Sequence, residues 1–401
     1  MSDRRFHEID VLKGLACYLM LCGHAFRGLP TGLPPLTMLD RAIVYAMDFS
    51  GPIFFLASGM NVCTFWDRNR DKPGFRATWF YLASALVLYL LGFTYSLAIG
   101  SIRFGVPDIF QGVAVCTALV FLLTRLNVKA YVYLLVALIA YAGYWLGFRA
   151  HIVPTRELVM AMGWPLKQFV AHFSPLPWVV FFLFGAALYR IRTRRGEIAM
   201  SLLFLAMIGL SFTLRPAFFI DPFELIFRGV PTYVLQTTAV GGLAFLALRR
   251  AWPDKPRFVI WRILDFAGRE SFMFLILHYF LITLLVIVIM GARGQGHDAV
   301  WMTMYPRAAI IVVGTALLLP VAARLRDRVA VIPGFIPATL VALAVLGFAS
   351  AAMNAPQLYV TARLAGFGAA FAFAFVFPSL RVKLRTHFSD PPPTPDAGAH
   401  G

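Results

Sequence analysis

Apolar residues in this chain are gathered into long runs that short polar segments separate. One helical crossing of a bilayer takes roughly 20 residues, and most of the runs are close to that length. The pattern predicts an all-α polytopic membrane protein with about 12 transmembrane helices, in a range of about 10 to 12. The predicted helices cover residues 10–28, 42–65, 77–99, 109–124, 130–148, 177–191, 198–214, 231–248, 268–291, 305–323, 330–350 and 359–379.

The runs and their connections form a single predicted transmembrane domain, residues 1–385. The segment that follows, residues 386–401, is rich in proline and polar residues, and we expect it to be disordered. The first ten residues show no small-residue cleavage pattern, so we expect them to remain as the start of the first helix.

Composition supports the membrane assignment. The 401 residues are 60% hydrophobic and 14% charged, whereas a soluble domain is about 45 to 50% apolar and about 25% charged. The net charge of +17 would suggest nucleic-acid binding in a soluble protein. Here the basic residues fall in alternate connections and near both ends, so the positive-inside rule predicts cytoplasmic N- and C-termini, anionic lipid as a partner and no nucleic acid. The basic clusters lie near residues 4–5, 68–76, 125–129, 190–195, 249–262, 324–328 and 381–385.

The four cysteines lie inside apolar runs and have no CxxC spacing. We interpret them as small core residues, and we expect neither a disulfide framework nor a metal site. They are Cys17, Cys22, Cys63 and Cys116.

The first helix contains three ionisable residues whose burial in a membrane costs free energy, Asp10, Lys13 and His24. Asp10 and Lys13 are three residues apart, so they share a face and can neutralise each other. His24 follows Lys13 by eleven residues, about three turns, and points the same way roughly 16 Å further along the axis. An intramembrane imidazole faces a cavity or a partner. Sequence alone leaves open whether His24 has a functional role or only packs between helices.

The second helix contains Asp48, at a depth similar to that expected for His24. A carboxylate beside an imidazole fixes its tautomer and raises its basicity. Alternatively, Asp48 pairs with Arg41 and holds the helix end. We expect Gly51-Pro52 to open the helix ladder, and Ser58-Gly59 to allow close packing of helix on helix.

In the ninth predicted helix, Arg269 and Glu270 stand at the cytoplasmic start, where backbone N–H groups and an arginine can hold phosphate. His278 lies nine residues after Arg269 and either lines a central tunnel or packs between helices. Three more residues combine a candidate binding role with an ordinary structural explanation: Asp108 as a helix cap, Gln111 inside an apolar run, and Trp178 at the start of a helix at the membrane interface.

Five segments, in this order, resemble the transmembrane acyltransferases. The first, EIDVLKGLACYLMLCGH, is similar to the opening signature R-x-x-x-x-D-x-x-[RK]-G followed by a helical histidine, with Lys13 where arginine is commoner. The fourth, SPLPWVVFFLFGAAL, resembles a motif of the bacterial branch related to heparan-alpha-glucosaminide N-acetyltransferase. The other four segments are PIFFLASGMN, RFGVPDIFQGVAV, SPLPWVVFFLFGAAL and FAGRESFMFLILHYFLI.

The resemblance implies transfer of an acyl group, usually acetyl, from cytosolic acetyl-CoA to a sugar amine or hydroxyl across the membrane. The implied partners are acyl-CoA and a carbohydrate or glycolipid acceptor, and the implied location is a bacterial inner membrane. A homodimer is compatible with the sequence, although no motif demands one.

His24 is then the expected catalytic residue, with Asp48 as its orienting partner. His24 acts either as a general base or as a transient acetyl carrier, and the sequence does not choose between them. The residues expected to bind acyl-CoA or substrate are Asp10, Lys13, Asp108, Gln111, Trp178, Arg269 and His278.

Two readings from other classes remain open at this point. A transporter or flippase of a sugar or lipid-linked sugar would use the intramembrane histidines and Asp48 as a proton relay. A structural membrane protein would use His24 and Asp48 only for packing.

Overall fold

The computed structural model describes residues 6–27, 38–98, 109–149, 175–214, 230–251, 258–294, 304–329, 334–352 and 356–389. Within these ranges the regular secondary structure is helical, and backbone pairing between extended residues is limited to one isolated bridge, Phe75 with Ser389. The helices are α1 His7–Arg27, α2 Met38–Met47, α3 Ser50–Asn69, α4 Ala77–Ala98, α5 Ile109–Arg125, α6 Ala130–Arg149, α7 Pro175–Arg190, α8 Arg194–Thr213, α9 Pro231–Ala251, α10 Val259–Arg269, α11 Ser271–Gly294, α12 Met304–Val329, α13 Phe335–Ala352 and α14 Pro356–His387.

The all-α prediction is confirmed, and each of the twelve predicted runs contains a helix. The number of spans is not confirmed. Among the described residues, seven helices are long and apolar enough to cross a membrane, and an eighth is added if α10 and α11 form one broken span. The prediction from the apolar pattern was too coarse because it cannot separate a full crossing from a shorter apolar helix such as α5 or α7.

Two predicted helices are interrupted, at places that the apolar pattern does not mark. The second divides at Asp48 and Phe49, a few residues before the expected opening at Gly51-Pro52. Pro52 is instead the third residue of α3, within the first turn, where its missing N–H breaks no helical hydrogen bond. The ninth divides at Glu270, where α10 and α11 meet at 94°. Arg269 therefore ends α10 and does not begin the helix that carries His278.

Helix α1 lies at the centre of the bundle. It contacts α2, α3, α9, α10, α11 and α12. Its buried face includes Leu12, Ala16, Cys17 and Leu21, each without exposed surface. Because neighbours pack on several sides of α1, polar groups along it are held at fixed positions inside the protein.

Pairs of glycines bring helix backbones into direct contact at two crossings. A Cβ on Gly14 of α1 would lie 1.9 Å from the carbonyl oxygen of Leu264 in α10, and one on Gly268 would lie 1.8 Å from that of Asp10. Gly59 of α3 and Gly185 of α7 make a similar reciprocal crossing. The expectation that Ser58-Gly59 allows close helix packing is thus confirmed.

The beginning and the end of the described chain lie at the same end of the bundle. The ring of Phe6 contacts Tyr189 at 5.8 Å, and the guanidinium groups of Arg68 and Arg192 lie 5.5 Å from it. The bridge from Phe75 to Ser389 joins the end of α14 to the connection between α3 and α4. Several basic clusters therefore meet at one end, as the positive-inside pattern requires of a cytoplasmic face. The orientation in the membrane stays a prediction.

Candidate active site

Two imidazoles from distant parts of the chain meet inside the bundle. Nδ1 of His24, near the end of α1, lies 3.0 Å from Nε2 of His278 in α11. The two rings are parallel to within 1°, with centroids 5.3 Å apart. His278 has no exposed surface, whereas His24 is only partly buried. Of the two, His24 is the one that a substrate can approach.

Tyr279, the neighbour of His278 in the chain, completes the cluster. Its hydroxyl lies 3.0 Å from Nε2 of His24. Its ring centroid is 4.6 Å from each imidazole centroid and meets Tyr95 of α4 edge-on at 5.7 Å. Rings on three sides therefore fix where the hydroxyl points.

The hydrogen bonds among these groups have one consistent direction when both imidazoles are uncharged. Nδ1 of His278 lies 2.9 Å from the carbonyl oxygen of Phe274, which can only accept. Nδ1 of His278 must then carry the proton, and its Nε2 accepts from Nδ1–H of His24. Nε2 of His24 is then unprotonated, and its lone pair accepts a hydrogen bond from the hydroxyl of Tyr279. The described partners thus set the tautomer of His24.

Asp48 is buried at the break between α2 and α3, at the same end of α1 as His24. Met47 lies 3.4 Å from the position of a Cβ on Gly23, and the backbone carbonyl of Asp48 accepts a 2.7 Å hydrogen bond from Tyr233. At Nδ1 of His24 the described partner is His278. The orienting role of Asp48 stays a prediction.

Gln111 lies beside the ring cluster. It is fully buried, and a Cβ on Gly92 would come within 2.9 Å of its amide group, so the absent side chain at Gly92 makes room for it. Its neighbour Phe110 meets Tyr95 at 4.7 Å, and Tyr95 meets Tyr279. Three aromatic contacts, Phe110 with Tyr95, Tyr95 with Tyr279 and Tyr279 with the imidazoles, therefore connect the chain neighbour of Gln111 to the histidine pair.

The other predicted binding residues are spread over the bundle. Lys13 lies over the ring of Phe54 at 5.6 Å. Trp178 packs edge-on against Phe55 where α7 crosses α3, and its described contacts do not reach the histidine pair. Asp10 stands at the crossing of α1 and α10. Asp108 lies outside the described residues.

A cavity of about 820 Å³ opens beside the first half of α1, between His7 and Tyr18. His7 and Arg269 both reach Asp265 there, at 2.8 Å and 3.3 Å. The lining residues are His7, Tyr18, Val259, Arg262, Ile263, Asp265, Phe266, Arg269, Ala316, Leu319 and Pro320. Two arginines and one aspartate line the cavity, and this excess of positive charge favours an anionic ligand.

An aromatic contact connects this cavity to the histidines. Tyr18, which lines the cavity, meets Phe274 edge-on at 5.1 Å. Phe274 in turn supplies the carbonyl that holds His278. Tyr18 precedes His24 by six residues of the same helix, about 9 Å along its axis. A flexible ligand of ordinary cofactor length in the cavity is thus a short distance from the imidazole pair.

Sequence reasoning missed Tyr279 and the residues His7, Arg262 and Asp265 of the cavity. Tyr279 adjoins a residue already singled out, so the His278-Tyr279 pair was a usable signal. Asp265 falls outside the predicted span 268–291, because the apolar pattern did not place α10 there.

No group of three or more histidine, cysteine, aspartate or glutamate side chains that could hold a metal ion occurs in the described parts of the chain. The arrangement that the structure does contain is a proton acceptor in a helical membrane protein, with an anion-favouring cavity at the opposite end of the same helix. This arrangement suits an acyl-transfer enzyme with a phosphorylated donor.

Comparison with known families agrees with this class. The family model described as heparan-alpha-glucosaminide N-acetyltransferase, catalytic, matches residues 5–203. The match indicates an acetyltransferase-type domain of this family over those residues, and together with the apolar helices it supports an integral membrane protein. None of the curated proteins compared with the chain matches it.

The matched residues end within α8, so they include His24 and Asp48 but neither His278 nor Tyr279. The second imidazole and the tyrosine come from a part of the chain that the family match does not reach.

Proposed function

We propose that this protein transfers an acetyl group from acetyl-CoA to a sugar amine or hydroxyl, with His24 as the reacting base. The observation that carries the proposal is the pairing of His24 with His278, which leaves Nε2 of His24 as a lone pair on the partly exposed imidazole. The family match over residues 5–203 supports the reaction type.

The donor enters through the cavity beside the beginning of α1. Arg262 and Arg269 border it and supply positive charge for the phosphates of CoA. The pantetheine arm extends past Tyr18 towards the histidine pair, and the thioester then lies beside His24. The basic end of the bundle faces the cytoplasm in this proposal, in agreement with the positive-inside pattern.

The acceptor reaches His24 from the opposite end. Nε2 takes the proton of the acceptor amine or hydroxyl while the acceptor attacks the thioester carbonyl, and the proton then passes to the departing thiolate. His278 keeps the tautomer that this step needs. Asp48, buried near the same end of α1, is proposed to add negative charge that favours the transient imidazolium.

Covalent catalysis is the alternative course within the same function. Nε2 of His24 would attack the thioester itself, and the acetyl group would pass to the acceptor in a second step. The same tautomer serves both courses. They differ in whether acetyl-CoA alone labels the protein.

The direct test is acetyl transfer by purified full-length protein in detergent, from radiolabelled acetyl-CoA to a panel of amino sugars and glycans. We expect transfer by the wild type and its loss in His24→Ala. His387→Ala removes an exposed histidine at the end of α14 and is the matched control. Folding of each protein is checked by size exclusion.

Wild-type protein that folds, is not stabilised against heat by CoA, and transfers no label to any acceptor or to itself would contradict the proposal. Label retained on wild-type protein, but not on His24→Ala, after acetyl-CoA alone would favour the covalent course.

A further inference from the structure

The hydroxyl of Tyr279 occupies the position that a reacting acceptor needs. It lies 3.0 Å from Nε2 of His24, which is the distance at which a general base takes a proton from a nucleophile. The directional chain through His278 makes Tyr279 the donor in this contact. The base is therefore already hydrogen-bonded before any acceptor arrives.

The ring of Tyr279 is held in place by its neighbours. It contacts both imidazoles at 4.6 Å and Tyr95 at 5.7 Å, and Tyr95 itself is almost fully buried against Phe110. Because of these contacts, a single water molecule does not displace the Tyr279 hydroxyl from Nε2 of His24. A bound acceptor has additional contacts, whose binding energy can displace the hydroxyl.

We propose that Tyr279 is a specificity residue that reserves Nε2 of His24 for acceptors and excludes water. The proposal rests on the proposed function, since it concerns the same base and the same donor. Without the hydroxyl, a water molecule can bind Nε2 and be activated there in the place of an acceptor.

The reaction that Tyr279 suppresses is hydrolysis of the donor. The water oxygen would bond to the thioester carbonyl carbon, and the bond from that carbon to sulfur would break. The proton taken by Nε2 of His24 would pass to the thiolate. The products would be acetic acid and CoA with a free thiol, and the base would be regenerated.

Two rates in the purified full-length protein test the inference. One is release of CoA from acetyl-CoA without an acceptor, and the other is acetyl transfer to the best acceptor of the panel. For Tyr279→Phe we expect acceptor-independent CoA release to rise about tenfold, which corresponds to roughly 1.4 kcal/mol, and the ratio of transfer to hydrolysis to fall. Tyr131→Phe removes a hydroxyl on α6 from a side chain that is 63% exposed, and it should leave both rates unchanged.

A second variant guards against a folding defect. Tyr279→Leu also lacks the hydroxyl and should show the same rise in hydrolysis if Tyr279→Phe does not fold. Adding His24→Ala to either variant should abolish the extra hydrolysis, because the activated water depends on that base.

The outcomes separate the inference from the proposed function. A wild-type protein that neither transfers nor hydrolyses removes the proposed function. A wild type that transfers, together with Tyr279 variants whose hydrolysis equals that of the wild type, overturns the inference alone.

Discussion

At the scale of single residues, the chemistry of His24 depends on a group 254 positions away in the chain. An isolated neutral imidazole exchanges its proton between two nitrogens, so either nitrogen can carry the lone pair. Here the carbonyl of Phe274 fixes His278, and His278 fixes His24. The backbone of α11 thereby determines which nitrogen of His24 carries the lone pair.

Replacement of His278 tests this dependence. His278→Leu removes the acceptor of Nδ1–H of His24, so we expect kcat of acetyl transfer to fall about 100-fold while KM for acetyl-CoA stays unchanged. His278→Gln offers an amide oxygen as acceptor and should retain more of kcat than His278→Leu. Equal losses in two folded variants would contradict a role in setting the tautomer, and the measurement is steady-state kinetics on both.

Sequence predicted His24 and His278 separately but not their contact. Each stands out because an ionisable group inside an apolar helix is costly. Which helices face each other depends on packing between distant segments, and no periodicity encodes it. Tyr279 was missed for a related reason: its place beside His278 in the chain was a signal, but the sequence does not indicate that its hydroxyl contacts His24.

At the scale of elements, the apolar runs predicted where helices lie but not where they bend. Asp48 interrupts one predicted helix and Glu270 another. At Glu270, the carboxylate pairs with Arg326 of α12, so the bend is held by a side chain from another helix. The pattern of hydrophobic residues does not indicate that Glu270 pairs with Arg326, so it does not predict the bend. The cavity that α10 borders was not predicted for the same reason.

The glycine crossings make a prediction about stability. In an open helix, Gly→Ala stabilises by up to about 1 kcal/mol. At Gly14 the added methyl group would meet the carbonyl of Leu264 at 1.9 Å, so the helices must separate. We expect Gly14→Ala to destabilise the protein by about 1 to 3 kcal/mol or more.

Gly143→Ala is the matched control, because the space around Gly143 of α6 is open within 4 Å. Thermal unfolding in detergent, followed by intrinsic fluorescence, should rank Gly143→Ala at or above the wild type and Gly14→Ala below it. The reverse order would mean that α1 and α10 do not pack as described.

At the scale of the whole molecule, arginine and lysine residues are concentrated at one end of the bundle, and His24 lies towards the other end. The cavity belongs to the first and His24 to the second, and α1 joins them. The two substrates of the proposed reaction thus approach along one helix from opposite ends. The last helices lie beyond the family match, yet α11 supplies half of the imidazole pair.

Membrane orientation is testable with two added cysteines, introduced one at a time. Ser389→Cys is exposed at the basic end, and Arg41→Cys is exposed at the start of α2. With a membrane-impermeant maleimide we expect intact cells to label Arg41→Cys, and only permeabilised cells to label Ser389→Cys. The unmodified chain gives the background, to which the half-buried Cys22 can contribute, whereas Cys17, Cys63 and Cys116 are buried. The opposite pattern would place the basic end outside.

The cavity beside α1, if it binds the donor as proposed, makes a separate kinetic prediction. The double variant Arg262→Gln, Arg269→Gln removes positive charge from the mouth but leaves the histidine pair intact. We expect KM for acetyl-CoA to rise about tenfold, roughly 1.4 kcal/mol, with little change in kcat. Arg125→Gln, at the end of α5 and outside the cavity lining, is the control. A change in kcat alone would assign the donor to another site.

The hydrogen-bond chain from Tyr279 through both imidazoles ends at the peptide carbonyl of Phe274. A carbonyl has no proton to give and holds none near neutral pH, so a proton that reaches His278 can only return to His24. No charge is carried through the bundle along this chain, whichever way the substrates move. If the proton of the proposed reaction moves only along this chain, acetyl transfer in sealed vesicles should proceed at the same rate when a voltage is imposed across the membrane.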